Sequence, residues 1–275
     1  MRSYAQPQTL DEVVGLMAQA PRRILAGGTD LYPAAGIQLD GEVLDLTAIP
    51  ALNGLTRDGG LRIGACTTWT AIAEADLPPA LRALQQAARK VGGRQIQNVG
   101  TIGGNLCNAS PAADGVPPLL ALDAVVELVG SGGLRQIPLS QFLTGPRQTL
   151  RQPDEVLTAV IVPEAALHGR SAFVKLGARA YLVISIAMVA ARVQVAEGRI
   201  VKAAIAVGAC SAVAQRLPAV ETALLGADPA AAVALIRETD VAASLSPIGD
   251  VRATAGYRLA SATELVRRAV QEALE

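Results

Sequence analysis

The sequence predicts an α+β fold in two domains, on three observations. Strand-like and helix-like segments follow one another without the regular βαβ alternation of a parallel sheet. No repeat of fixed period is visible, which removes solenoids and propellers. The chain has 275 residues, 51% hydrophobic and only 17% charged, enough to bury a core and the opposite of a solvated, disordered chain.

Thr9-Leu10-Asp11-Glu12 fits a capping box, with Leu10, Val13, Val14 and Met17 following at helical spacing until Pro21 closes the helix. A short strand at 23–26 runs into Gly27-Gly28, another helical turn starts near Leu31, and 43–46 reads as a strand. Asp58-Gly59-Gly60 between two apolar runs signals a hairpin. Residues 78–91 form an Ala/Leu helix ending on Gly92-Gly93, and 100–118, rich in Gly, Asn, Ser and Pro, reads as a long loop. Strands at 124–129 and 134–137 make a second hairpin, and 156–162 is a further strand. Residues 163–170 look like a linker, which places the domains at 1–166 and 167–275. The apolar stretch 181–191, about half a membrane span, reads as a buried strand or helix. A third hairpin turns at Glu197-Gly198 between 189–195 and 200–207. Helices at 219–225, 229–238 and 263–274 complete the chain.

Composition excludes several functions. Equal numbers of basic and acidic residues, 24 each, give no basic face for nucleic acid. One histidine, His168, rules out a multi-histidine metal site, and Cys66, Cys107 and Cys210 are too scattered for a disulfide framework or a Cys-x-x-Cys site. Metal ligands and catalytic side chains are therefore not expected. No secretory signal follows Met1, and with unpaired cysteines the expected compartment is the reducing cytoplasm, without a membrane span.

Two glycine segments are the candidates for chemistry: Leu25, Ala26, Gly27, Gly28, Thr29, Asp30 and Leu31, then Val99, Gly100, Thr101, Ile102, Gly103, Gly104 and Asn105. A strand–glycine–helix junction turns bare N–H groups toward an anion. No Lys or Arg occurs in 24–39 or in 95–134, so a phosphate bound there must be held by amides and by Thr29, Thr101, Asn105 or Ser110. That suits a resident dinucleotide better than a transferring phosphate, and neither a Gly-x-Gly-x-x-Gly nor a P-loop pattern is present. Generic glycine turns remain the alternative for either loop alone.

Ala26-Gly27-Gly28-Thr29-Asp30-Leu31, Thr101-Ile102-Gly103-Gly104-Asn105-Leu106 and Ala109-Ser110-Pro111-Ala112-Ala113-Asp114 together resemble the FAD-binding medium subunits of molybdenum hydroxylases, the xanthine and carbon monoxide dehydrogenase family. The resemblance continues through 173–179 and 250–258, nearly the whole chain. It implies a two-subdomain FAD-binding domain of the vanillyl-alcohol-oxidase type, split at about 54/55, then a smaller α+β domain like the C-terminal domain of the carbon monoxide dehydrogenase flavoprotein. It implies FAD held non-covalently, its pyrophosphate on main-chain amides of both loops. By position Thr101 meets a phosphate and Asp114 a hydroxyl, with Ala109, Ser110 and Ala113 beside them. Gly92, Leu157 and Lys175 touch the flavin or its chain, Lys175 near the isoalloxazine.

The implied function is electron transfer. Electrons arrive singly from a [2Fe–2S] ferredoxin-like small subunit and leave for an external acceptor, while a molybdopterin-binding large subunit hydroxylates the substrate. The iron–sulfur and molybdopterin groups are expected only on those partners, and three dispersed cysteines cannot build an extra cluster here. A free-standing flavin oxidase or reductase of the same superfamily is the alternative. Cys107 reads as a small buried thiol rather than a flavin neighbour, His168 as a solvated linker residue, Trp69 as core, and Tyr181 as core or as a shield on one flavin face.

Overall fold

The computed structural model describes residues 4–36 and 41–275. Strand β1 (Tyr4–Ala5), helix α1 (Leu10–Gln19), β2 (Arg23–Leu25), α2 (Leu31–Ala34) and β3 (Val43–Asp45) form the first unit. Its three strands are parallel in the order β1-β3-β2. The capping box is real at its start: Thr9 Oγ1 accepts from Glu12 N at 3.2 Å. Val13 and Met17 of α1 then pack on Leu44, Leu46, Ile49 and Leu52.

The second unit runs through β4 (Leu55–Arg57), β5 (Gly60–Gly64), α3 (Trp69–Glu74), α4 (Arg82–Ala88), α5 (Arg94–Val99), α6 (Ile102–Asn108), α7 (Val116–Ala121), β6 (Val125–Gly130) and β7 (Gly133–Pro138). It ends with α8 (Leu139–Phe142), the small hairpin β8 (Leu143–Gly145) and β9 (Gln148–Thr149), and β10 (Val156–Pro163). An antiparallel sheet of order β4-β5-β10-β6-β7 buries Leu61, Ile63, Val126, Leu128 and Val160 against Trp69, Ile72, Leu84, Ile102 and Leu119.

The last unit is a meander, β11 (Arg170–Leu176), β12 (Ala187–Ala196), β13 (Arg199–Gly208) and β14 (Gln215–Arg216), followed by α9 (Pro218–Leu224), α10 (Glu238–Ala242) and α11 (Ala255–Leu274). One sheet face packs on α11 through Val189, Ile205, Val266 and Val270. Ala190, Ala204 and Ala209 on this meander meet Ala83 and Ala87 of α4 and Ala121 of α7, with Phe173 and Met188. Alanine lets helix and sheet backbones approach closely, which accounts for an apolar chain with 3% aromatic residues. Arg192 and Arg216 reach across this seam to the C-terminal end of α7, donating to Ala121 O at 2.8 Å and Leu120 O at 2.9 Å, and both pair with Asp123. They supply the donors that the end of a helix lacks.

Several sequence expectations need correction. Residues 100–118 are not one loop, because they contain α6 and α7. Thr101 caps α6, accepting from Gly104 N at 3.1 Å, and Gly103 fits because a Cβ there would lie 2.7 Å from Ala65 O. Pro117 and Pro118 stand in the first turn of α7, where an N–H is dispensable. The helix expected over 78–91 is a 3₁₀ turn at Pro79–Leu81 followed by the shorter α4, and 229–238 is a 3₁₀ stretch at Pro229–Leu235. The last helix begins at Ala255, under the Thr254 cap, well before 263. Strand β11 had no reading of its own. The 163–170 linker is packed down: Ala166 and Leu167 are buried in the second unit's core, while His168 is exposed as expected. Burial within 181–191 begins only at Ser185, since Tyr181 is 82% exposed, which removes its core reading.

Arg258 of α11 holds two loops of the third unit together. Its buried guanidinium donates to Ile186 O at 2.5 Å, Ala209 O at 2.9 Å and Asp250 Oδ1 at 2.7 Å. Arg258→Ala should lower unfolding stability by about 3 kcal/mol in urea titrations, because buried carbonyls lose their donors. The Arg252 amide and this guanidinium hold the Asp250 carboxyl down at about 2. A depressed carboxyl contributes its stability above the ordinary carboxylate range and loses it as pH falls through about 2.

Candidate functional site

A cleft of about 670 Å³ opens between the first sheet, α6 and the β8–β9 hairpin. Twelve of the sequence-selected residues line it: Ala26, Gly27, Gly28, Thr29, Asp30, Leu31, Gly100, Thr101, Gly103, Gly104, Asn105 and Leu157. Both glycine segments therefore share one cavity although they are far apart in sequence.

The two segments contribute differently. In the first, the amides of Gly27, Gly28, Thr29, Asp30 and Leu31 donate to no acceptor among the described residues. They form a row of free N–H groups along the cleft, a nest suited to an anion. Gly28 has φ +69°, and a Cβ on Gly27 would lie 1.9 Å from Val99 O, so neither position accepts a side chain.

Most amides of the second segment are already committed, the Thr101 amide alone among 100–105 donating to no acceptor among the described residues. Ile102 N donates to Thr67 O, Gly103 N to Ala65 O, Gly104 N to Thr101 Oγ1 and Asn105 N to Thr101 O, at 2.9–3.1 Å. This segment offers the Thr101 hydroxyl, the bare face of Gly104 and the Asn105 side chain, whose Oδ1 is buried without a hydrogen-bond partner. Free amides, an orphaned polar atom and an open glycine surface in one elongated cleft fit a dinucleotide with a dianionic centre.

The other selected residues stand behind the wall. Leu25 ends β2, and Val99 presents its carbonyl to Gly27. Ile102 and Ala113 lie in the core, Ala109 ends α6 at φ 46°, and Ser110 Oγ accepts from Ala112 N. Gly92 has φ +53° and packs on Ile96, which does line the cleft.

Asp114 and Lys175 are bonded to each other. Lys175 Nζ lies 2.6 Å from Asp114 Oδ2, both side chains 8% exposed, and Ser185 donates to the second carboxylate oxygen at 2.6 Å. Lys175 also donates to Lys90 O, beside Val91 at one end of the cleft. Burial pushes the Asp114 carboxyl up, and the Lys175 charge opposes that shift.

Sequence reasoning missed the basic side of the cleft. Arg22, Arg23, Arg147 and Arg151 are on its wall, so the expectation that no basic side chain reaches a bound phosphate needs correction. The arginines come from outside the two glycine segments, and only the fold brings them in. Arg22 pairs with Glu42 at 2.8 Å. Cys107 is exposed at the cleft wall, while the protein packed around its thiol pushes it up to about 11. Cys66 also reaches the wall but is largely buried, its thiol pushed up to about 12 by burial. Trp69 is buried as expected and reaches the cleft as well. No helix among the described residues is long and apolar enough to cross a membrane.

With this geometry in place, the comparisons with known proteins are specific. Residues 1–165 match the FAD binding domain in molybdopterin dehydrogenase, and residues 172–273 match the CO dehydrogenase flavoprotein C-terminal domain. The chain is 31% identical to the xanthine dehydrogenase FAD-binding subunit of Escherichia coli O157:H7, covering 99% of this chain and 96% of that protein. It is 32% identical to the nicotine 6-hydroxylase medium subunit of Paenarthrobacter nicotinovorans, covering 98% and 96%. It superposes on a chain of carbon monoxide dehydrogenase from Hydrogenophaga pseudoflava with a TM-score of 0.88 at 29% identity, covering 98% of this chain and 96% of that one.

Proposed function

The chain belongs to the family of FAD-binding medium subunits of molybdenum hydroxylases, and from that membership we propose that it is the electron-transfer arm of a heteromeric, cytoplasmic dehydrogenase. Electrons enter from a [2Fe–2S] ferredoxin-like small subunit and leave to an external acceptor. A molybdopterin-binding large subunit performs the substrate chemistry. Residues 1–166 hold the cofactor, and 167–275 pack behind its site, where Lys175 reaches Asp114 and Lys90 O.

The supporting observation is the composition of the cleft wall. It has free amides, glycine surfaces, apolar side chains, four arginines and two cysteines with raised thiols, but no Glu, His, Lys, Tyr or Ser among the residues lining it. Its one carboxylate, Asp30, accepts from Asn108 at 2.9 Å. Such a wall binds and orients without offering a general base, which disfavours a self-sufficient oxidase or reductase.

Bound FAD supplies the exchange of one or two electrons. The chain's own groups do the positioning. The Gly27 to Leu31 amides and the Thr101 hydroxyl face the diphosphate. Ile24, Leu46, Val156 and Leu157 give an apolar seat at the end near β2, and Trp69, Val91 and Ile96 line the end near Lys90. Lys175, paired with Asp114 and donating to Lys90 O, braces that second end from behind the wall.

The test is reconstitution of the purified full chain. It should take up FAD to one equivalent by absorbance, be reduced by dithionite and be reoxidised by an added acceptor. Alone it should oxidise no purine, heterocycle or aldehyde. A chain that stays colourless with excess FAD, or that turns over such a substrate unaided, defeats the proposal.

A further inference from the structure

We propose that the β8–β9 hairpin is a third clamp on the cofactor, with Arg147 and Arg151 gripping its anionic ADP half; this rests on the FAD reading above. Strand β9 carries only Gln148 and Thr149, with Arg147 in the turn before it and Arg151 just beyond it. Arg147, Thr149 and Arg151 all line the cleft, whereas Gln148 and Leu150 do not.

The turn itself carries the argument further. Gly145 pairs with Gln148, so Pro146 and Arg147 are its two central residues. Arg147 has φ 60°. After a proline, that second position is one glycine or asparagine fills at lower cost. An arginine held there in a left-handed conformation is a local expense that points to a role for its side chain.

The hairpin is firmly placed. Arg147 N donates to Ala109 O at 2.8 Å and Leu150 N to the carbonyl of buried Phe142 at 2.9 Å. The Arg147 guanidinium donates to the Asn108 side-chain and backbone oxygens, and Asn108 Nδ2 donates to Asp30 at 2.9 Å. A polar bridge thus joins the hairpin to the loop with the free amides. Arg147 and Arg151 are bonded to amide and carbonyl oxygens, with no salt-bridged carboxylate among the described residues, although the Arg151 charge helps hold the Asp154 carboxyl down. Their charge is therefore available to a phosphate, and a guanidinium meets phosphate with two parallel donors.

The experiment uses the full chain stripped of flavin and titrated with FAD, ADP and riboflavin. Arg147→Gly relieves the turn, so the apoprotein's thermal midpoint should hold or rise. Its affinity for FAD and for ADP should fall about tenfold or more, with riboflavin unchanged. Arg151→Gln should act in the same direction, and the salt dependence of FAD binding should weaken in both variants. Equal losses for FAD and riboflavin, or unchanged FAD affinity, overturn the clamp. Wild-type protein that binds no FAD at all defeats the functional reading instead.

Discussion

Gly104→Val should give a folded protein that no longer holds FAD. Gly104 is exposed on the cleft wall, and a Cβ there would meet only Thr101 Oγ1, at 2.9 Å. The branched side chain therefore projects into the space between the two glycine segments, where the proposed site puts the diphosphate. Its effect on the fold is small, because valine suits a helix better than glycine and the main loss is the Thr101 cap, about 1 kcal/mol. Affinity for FAD should fall at least about a hundredfold, equivalent to about 2.7 kcal/mol. Flavin fluorescence titration and the visible absorbance of the purified variant measure it directly. Retention of flavin by this variant would show that the second segment does not face the diphosphate. Gly27 provides the contrast: alanine there would strike Val99 O at 1.9 Å, so Gly27→Ala should lose fold and flavin together.

The second large effect lies at Lys175. Lys175→Ala leaves Asp114 buried with the Ser185 hydroxyl and the more distant Lys90 charge, and removing one partner of a buried pair costs about 3–5 kcal/mol. The pH response gives the sign of the charge left behind. Burial raises the Asp114 carboxyl, and without the lysine it rises further. A carboxyl raised in the folded state binds its proton more readily folded than unfolded. Stability is then best below the ordinary carboxylate range and declines as pH climbs through the raised value. The variant should therefore regain part of its loss on mild acidification, read as urea midpoints between pH 7 and pH 5. Asp114→Asn combined with Lys175→Met should recover most of the stability without acid. If the single variant is as stable as wild type at neutral pH, the pair does not anchor this junction.

Much of the fold was legible because period-2 patterns and turn chemistry are local. The hairpins around Asp58-Gly59, Gly130 to Gly133 and Glu197-Gly198 all form, and the Thr9 capping box starts a real helix. The 100–118 region was not legible for a physical reason. Gly103, Gly104, Pro117 and Pro118 read as breakers in isolation, yet the glycines serve close approach to Ala65 and access to the cleft, and the prolines sit at a helix start. Strand β11, buried at Ser171, Ala172 and Phe173 in succession, lacks the clean alternation that would have marked it. In the site, glycine and charge pattern located both segments and the resemblance named the ligand, for which the first segment offers free amides. That the amides of 102–105 were spent on Thr67, Ala65 and Thr101 could not be read locally, because two of those partners lie in another stretch of chain. The arginines of the β8–β9 hairpin escaped for the same reason.

The free amides from Gly27 to Leu31 also bear on how such a subunit fares in a cell. Groups that find an acceptor only in a bound ligand couple the folding equilibrium to ligand supply, and a ligand at a thousand times its dissociation constant adds about 4 kcal/mol. A chain made while flavin is scarce is thus the less stable chain, opening more often and cut sooner by proteases. Limited proteolysis should therefore digest the flavin-free chain faster than the same chain with FAD bound.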